Sequence, residues 1–83
     1  MDNNFAVIVV EGGDSCTVKK VDEDLFEEIN YLVSEGEQES VIVNDLVDIE
    51  TDASDILASN VTRAEAVDVA TSETGAYVLL HAD

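Results

Sequence analysis

Residues 5–10 read Phe5-Ala6-Val7-Ile8-Val9-Val10, six apolar side chains without a polar break. A strand sends alternate side chains to opposite faces, so this run is apolar on both and belongs in the middle of a sheet. Glu11-Gly12-Gly13-Asp14 follows as a turn, its two glycines supplying the positive φ a hairpin needs. Residues 15–21 return as a second strand. Cys16 and Val18 fall on one face, Thr17 and Lys19 on the other, and the lysines mark it as an edge.

Leu25, Phe26, Ile29, Leu32 and Val33 recur at the spacing of one helix face. Asp22 or Asp24 is the N-cap, and Asp24 with Glu27 three residues on forms a capping pattern. Gly36 is placed to stop the helix. Residues 40–50 read as β-rich. Val41, Val43, Val47 and Ile49 share one face of a single strand, but Asp45 would then point into that face. Two short strands turning at Asn44-Asp45, or one bent strand, are therefore preferred. Residues 51–60 predict a short helical turn capped by Asp52, burying Ile56 and Leu57 and ended by Asn60. Thr62 and Glu65 form a capping box for a helix that runs to about Thr74 and stops at Gly75. Its stripe of Ala66, Val69 and Ala70 is made of small residues that permit close approach to a sheet. Residues 76–82 give the last strand.

This order predicts an α+β fold: a mainly antiparallel sheet of four to five strands with two main helices packed on one face. One parallel neighbour near the C-terminus is compatible with it. There is no proline, linker or repeat, and 83 residues suit one domain spanning 1–83.

Charge narrows the function. Twenty Asp and Glu stand against three Lys and Arg, a net charge of -17. Such a surface repels nucleic acid and anionic membranes and attracts cationic proteins, quickly at low salt. The hydrophobic fraction of 46%, gathered in blocks such as Val41-Ile42-Val43, still argues for a folded core. With one cysteine, Cys16, no internal disulfide forms. No run approaches the ~18 apolar residues of a membrane span, and the N-terminus lacks the basic region of a signal peptide. The expected location is the cytoplasm, of a cell or of an infected host.

The inventory leaves little for catalysis. His81 is the only histidine, lacks a positioned partner in the sequence, and reads as an exposed tail residue. Cys16 reads as a small core hydrophobe. Gly12-Gly13 has neither the spacing nor the lysine of a phosphate loop. Residues 48–55 begin like an EF-hand loop, but Ala53 stands where glycine is required and Ser59 where glutamate is required. The expectation is a protein without enzymatic activity, cofactor or metal.

The carboxylates suggest phosphate mimicry. Residues four apart on a helix lie about 6 Å apart, close to the spacing of phosphates along a nucleic-acid strand. The first helix offers Glu23 with Glu27 and Asp24 with Glu28, the second row continuing past Tyr31 to Glu35. Glu37, Glu39, Asp45, Asp48, Glu50, Asp52 and Asp55 extend the field. Tyr31 is either an aromatic anchor in this surface or a cover for the core edge. Lys19, Lys20 and Arg63 relieve local repulsion.

In size, charge and α+β character over its whole length, though not in any motif, the chain resembles small acidic phage-encoded inhibitors of the anti-CRISPR and anti-restriction type. That resemblance implies inhibition of a nucleic-acid-handling complex, such as a CRISPR effector, a restriction or repair enzyme or RNA polymerase, by occupying its basic groove. The composition also fits adaptation to high salt, which favours acid over lysine, although arginine is scarce here too. It fits equally an adaptor or homodimer that pairs through an edge strand.

Overall fold

The computed structural model describes residues 5–82; residues 1–4 and 83 of the expected single domain lie outside the described residues. Strand β1 (Phe5–Val10) pairs antiparallel with β2 (Cys16–Val21), with Phe5 opposite Val21 and Val10 opposite Cys16. The turn between them uses Gly12 and Gly13 at φ of 124° and 54°, as the sequence predicts. Helix α1 (Glu23–Ser34) follows. Its cap is Asp22, whose Oδ1 accepts the Leu25 N–H at 2.8 Å, while Asp24 lies within the first turn and takes no capping role. Replacing Asp22 with alanine is expected to cost about 1 kcal/mol in denaturant unfolding. An equal loss on replacing Asp24 would contradict this assignment. Gly36 ends the helix at φ 87°. The Gly36 N–H bonds to Val33 O and the Glu37 N–H to Leu32 O, closing the carbonyls of the last turn.

The next segment corrects the β expectation. Residues 39–50 form one helical run, α2, with α-helical Glu39–Ile42, π-helical Val43–Val47 and a last turn Asp48–Glu50. Ile42, Val43 and Val47 are buried, and half-buried Leu46 packs beside them. The π stretch brings residues five apart onto one side, which lets Ile42 and Val47 face the core together. Ile49, which alternation assigned to a buried face, is 69% exposed. Asp45 is exposed, so the conflict it posed for a strand disappears.

A 3-10 turn (Ala53–Asp55), capped by Asp52 as expected, leads into β3 (Ile56–Val61). Ile56, Leu57 and Asn60 thus belong to a strand rather than to a helical turn. Helix α3 (Arg63–Glu73) carries the predicted capping box: Thr62 Oγ1 accepts from Glu65 N–H at 3.2 Å, and Glu65 Oε1 accepts from Thr62 N–H at 3.3 Å. Strand β4 (Ala76–His81) closes the fold.

The strand order is β3-β2-β1-β4. β2 lies antiparallel to both neighbours, and β4 runs parallel to β1 with Phe5 opposite Ala76. The four-stranded sheet is therefore mixed. β2, expected at an edge for its lysines, is internal; Lys19 is accommodated by a salt bridge from its Nζ to Asp48 Oδ1 at 3.0 Å. The helices also do not share a face. Val7, Val9, Val21 and Leu80 pack under α1 and α2 through Leu25, Ile29, Ile42, Val43 and Val47. Ala6, Ile8, Val10, Cys16 and Val18 pack under α3 through Ala66 and Ala70. The result is three layers, helices–sheet–helix. A central strand apolar on both sides has to be covered on both sides. Helix α3 lies across all four strands, and its alanines let it sit close.

Candidate functional site

Thirteen of the twenty Asp and Glu lie in residues 22–55, and no Lys or Arg does. This segment is α1, α2 and their connections, so the acid is concentrated on one layer. The α3 layer offers Glu65, Asp68 and Glu73, with Arg63 among them.

Because α1 is helical throughout, its acids form the expected rows. Glu23, Asp24, Glu27 and Glu28 are exposed, and Tyr31 stands out from the helix at 61% exposure. Tyr31 thus covers no core edge; Phe26 does so instead, stacked on Phe5 with ring centroids 4.6 Å apart. Asp24 and Glu28 turn toward an open cleft of about 280 Å³ between the start of α1 and the end of α2. Glu50 and Asp55 line it from the other side, together with Asp22, Lys20 and Thr51. The two acidic stretches of the sequence meet here. Sequence reasoning missed Asp22 and Lys20 as cleft residues: Asp22 announced itself as a cap, and Lys20 by its charge as an edge residue.

The remaining acids are dispersed. Glu35 and Glu37 are exposed beyond the end of α1, and Asp45 is exposed on α2. Asp48 holds Lys19. Asp52 and Asp55 brace the 3-10 turn: Asp52 Oδ1 accepts from the Ser54 hydroxyl at 2.6 Å and its N–H at 3.0 Å, and Asp55 Oδ2 accepts from Asp52 N–H at 3.1 Å. The Ser54 hydroxyl, then the Ser54 N–H, hold the Asp52 carboxyl below its ordinary 3.8.

Glu39 ties together segments far apart in the sequence. Its Oε1 accepts the backbone N–H of His81 at 2.8 Å and lies 3.0 Å from His81 Nδ1, joining the start of α2 to the end of β4. His81 is therefore part of a strand rather than a tail. The His81 N–H, then its ring, hold the Glu39 carboxyl below its ordinary 4.5. A carboxyl lowered by folding stabilises fully above its unfolded pKa and loses that contribution as pH falls through the folded one. Glu39→Gln is thus expected to narrow the gap in melting temperature from wild type as pH drops from 6 to 3. A gap constant across that range would show the contact to be without weight.

Cys16, at the start of β2, is fully buried under α3. Among the described residues no group of three or more His, Cys, Asp or Glu is arranged to hold a metal ion, and no helix is long and apolar enough to cross a membrane. No family model matches the chain, and no similar curated protein or solved structure was found.

Proposed function

We propose that the protein is a non-enzymatic binding protein that presents its α1–α2 layer to a cationic nucleic-acid-binding protein and blocks the site where DNA or RNA would lie. The observation that carries this reading is the segregation of thirteen acids, without a single Lys or Arg, onto residues 22–55. Carboxylates crowded this way repel one another and cost folding energy. Solubility alone is served by acids spread over the whole surface, whereas a partner is served by acids on one side of it. The paired rows of α1 and the cleft they share with Glu50 and Asp55 give a basic groove several carboxylates at once. Tyr31 adds an exposed ring of the kind enriched at binding hot spots. The protein does not contact nucleic acid or membrane itself, and it acts in the cytoplasm, where such targets work.

The test is capture from a host lysate by the immobilised protein at low and at high salt, with mass-spectrometric identification. The expected result is a basic nucleic-acid-handling protein or complex, retained at low salt, released by high salt, and displaced by added DNA or RNA. Recovery of no such protein, or binding indifferent to both salt and polynucleotide, would overturn the reading. Unfolding when salt is removed would favour salt adaptation instead.

A further inference from the structure

Among the described residues the sheet ends at two edges, β3 and β4, and they differ. β3 is irregular: its register with β2 shifts between Cys16 and Val18 and again between Val18 and Lys19, and Asn60 takes φ 56°. Bulged edges of this kind resist pairing with another chain. β4 is regular over six residues, in unbroken register with β1. Residues 76–80 carry no charge. The devices that usually close an edge, lysine, proline or a bulge, are absent from this strand.

Ala82 N–H donates to Val10 O at 2.9 Å. In a parallel pair the N–H and C=O of one residue point to the same side, alternating along the strand. Val78 and Leu80 therefore face β1, and Tyr77, Leu79 and His81 direct their backbone groups outward. The His81 N–H is taken by Glu39. Among the described residues, Tyr77 and Leu79 make no backbone hydrogen bond outside the sheet. Tyr77 is 41% exposed. Where this edge ends, it opens into a shallow depression of about 500 Å³ lined by Glu37, Gln38, Glu39, Ser40 and His81.

We infer that the outer edge of β4 accepts an extended, Lys- or Arg-bearing segment of the cationic partner as a fifth strand. The backbone groups of Tyr77 and Leu79 supply the pairing. Glu37 and Glu39 in the adjoining depression receive a basic side chain at the end of that segment. Charge selects this occupant: a second copy would bring another -17 to the same edge, whereas a basic strand neutralises part of it. The inference rests on the proposed reading that the partner is cationic, and it adds a docking mode that charge alone does not supply.

The probe is an acetylated, amidated peptide, Lys-Val-Lys-Val-Lys-Val-Lys, compared at low salt with its analogue methylated at every peptide nitrogen. The two share charge and side chains, but the analogue cannot donate to a sheet edge. Binding is followed by amide chemical shifts and hydrogen exchange on the full chain. The parent is expected to bind about ten-fold more tightly or better, as two or three lost hydrogen bonds imply. Exchange at Tyr77 and Leu79 is expected to slow on binding. Equal affinities with shifts confined to α1 and Glu50 would overturn strand addition and leave the acidic-layer reading standing. Failure of both peptides to bind would count against both. A dimer without peptide, with Tyr77 and Leu79 already protected, would assign the edge to a second copy and overturn the inference.

Discussion

Ile8→Ala is expected to lower stability by about 3 kcal/mol, because deleting a fully buried aliphatic side chain removes its transfer energy and leaves a cavity. A domain of this size holds on the order of 4–12 kcal/mol in total, so a large share of it is at risk. The melting temperature is expected to drop by roughly 10–25 °C. Ile8 lies on the face covered by α3, opposite α1 and α2. Had all helices shared the α1 face, Ile8 would be on the open side of the sheet and its truncation nearly harmless. Val7→Ala, on the α1 face, tests the other layer. Both changes are expected to destabilise, while Ile49→Ala, at 69% exposure, should stay within about 0.5 kcal/mol. A tolerated Ile8→Ala in thermal or urea unfolding would contradict the three-layer arrangement.

The second large effect concerns binding. Reversing Asp24 and Glu28 together to lysine is expected to weaken capture of the proposed target about 100-fold, equivalent to about 2.7 kcal/mol. Both line the cleft where the acidic stretches meet, beside Asp22, Glu50 and Asp55, so each reversal replaces an attraction with a repulsion there. Fold should be retained or strengthened, since the same change lowers self-repulsion. The matched control reverses Asp68 and Glu73 on α3, at the same change in net charge. Its expected loss is under about three-fold, from the long-range field alone. If the two pairs weaken binding equally, net charge matters and the α1–α2 layer does not.

Local features are legible in the sequence. The glycine turn, the periodicity of α1, the stop at Gly36 and the Thr62–Glu65 capping box each depend on a few adjacent residues, and each lies where the pattern puts it. The segment at 39–50 misleads because Val43 and Val47 satisfy strand alternation and helical spacing alike; Ile42 and Leu46 decide for the helix, and only their burial distinguishes the two. β3 is hidden because a bulged edge strand need not alternate. The two-sided cover of the sheet is already implied by the unbroken run from Phe5 to Val10, which one layer of helices cannot satisfy. The acid rows of α1 follow from spacing alone. Their meeting with Glu50 and Asp55 does not, being a matter of where α2 ends relative to α1. Nor can spacing tell that Glu39, Asp48 and Asp52 are held by protein partners while Glu23 and Glu27 stand outward.

The pairing of β1 with β4 joins Phe5 to Ala76, positions at opposite ends of the described chain. The hairpin and α1 can form early from short-range contacts, but the middle strand keeps one naked flank until the last one docks. Such late closure makes for slow assembly, on the order of milliseconds to seconds. Until then the unsatisfied side of β1 is open to pairing with another chain, and mutual repulsion among the carboxylates opposes such contact between half-built copies.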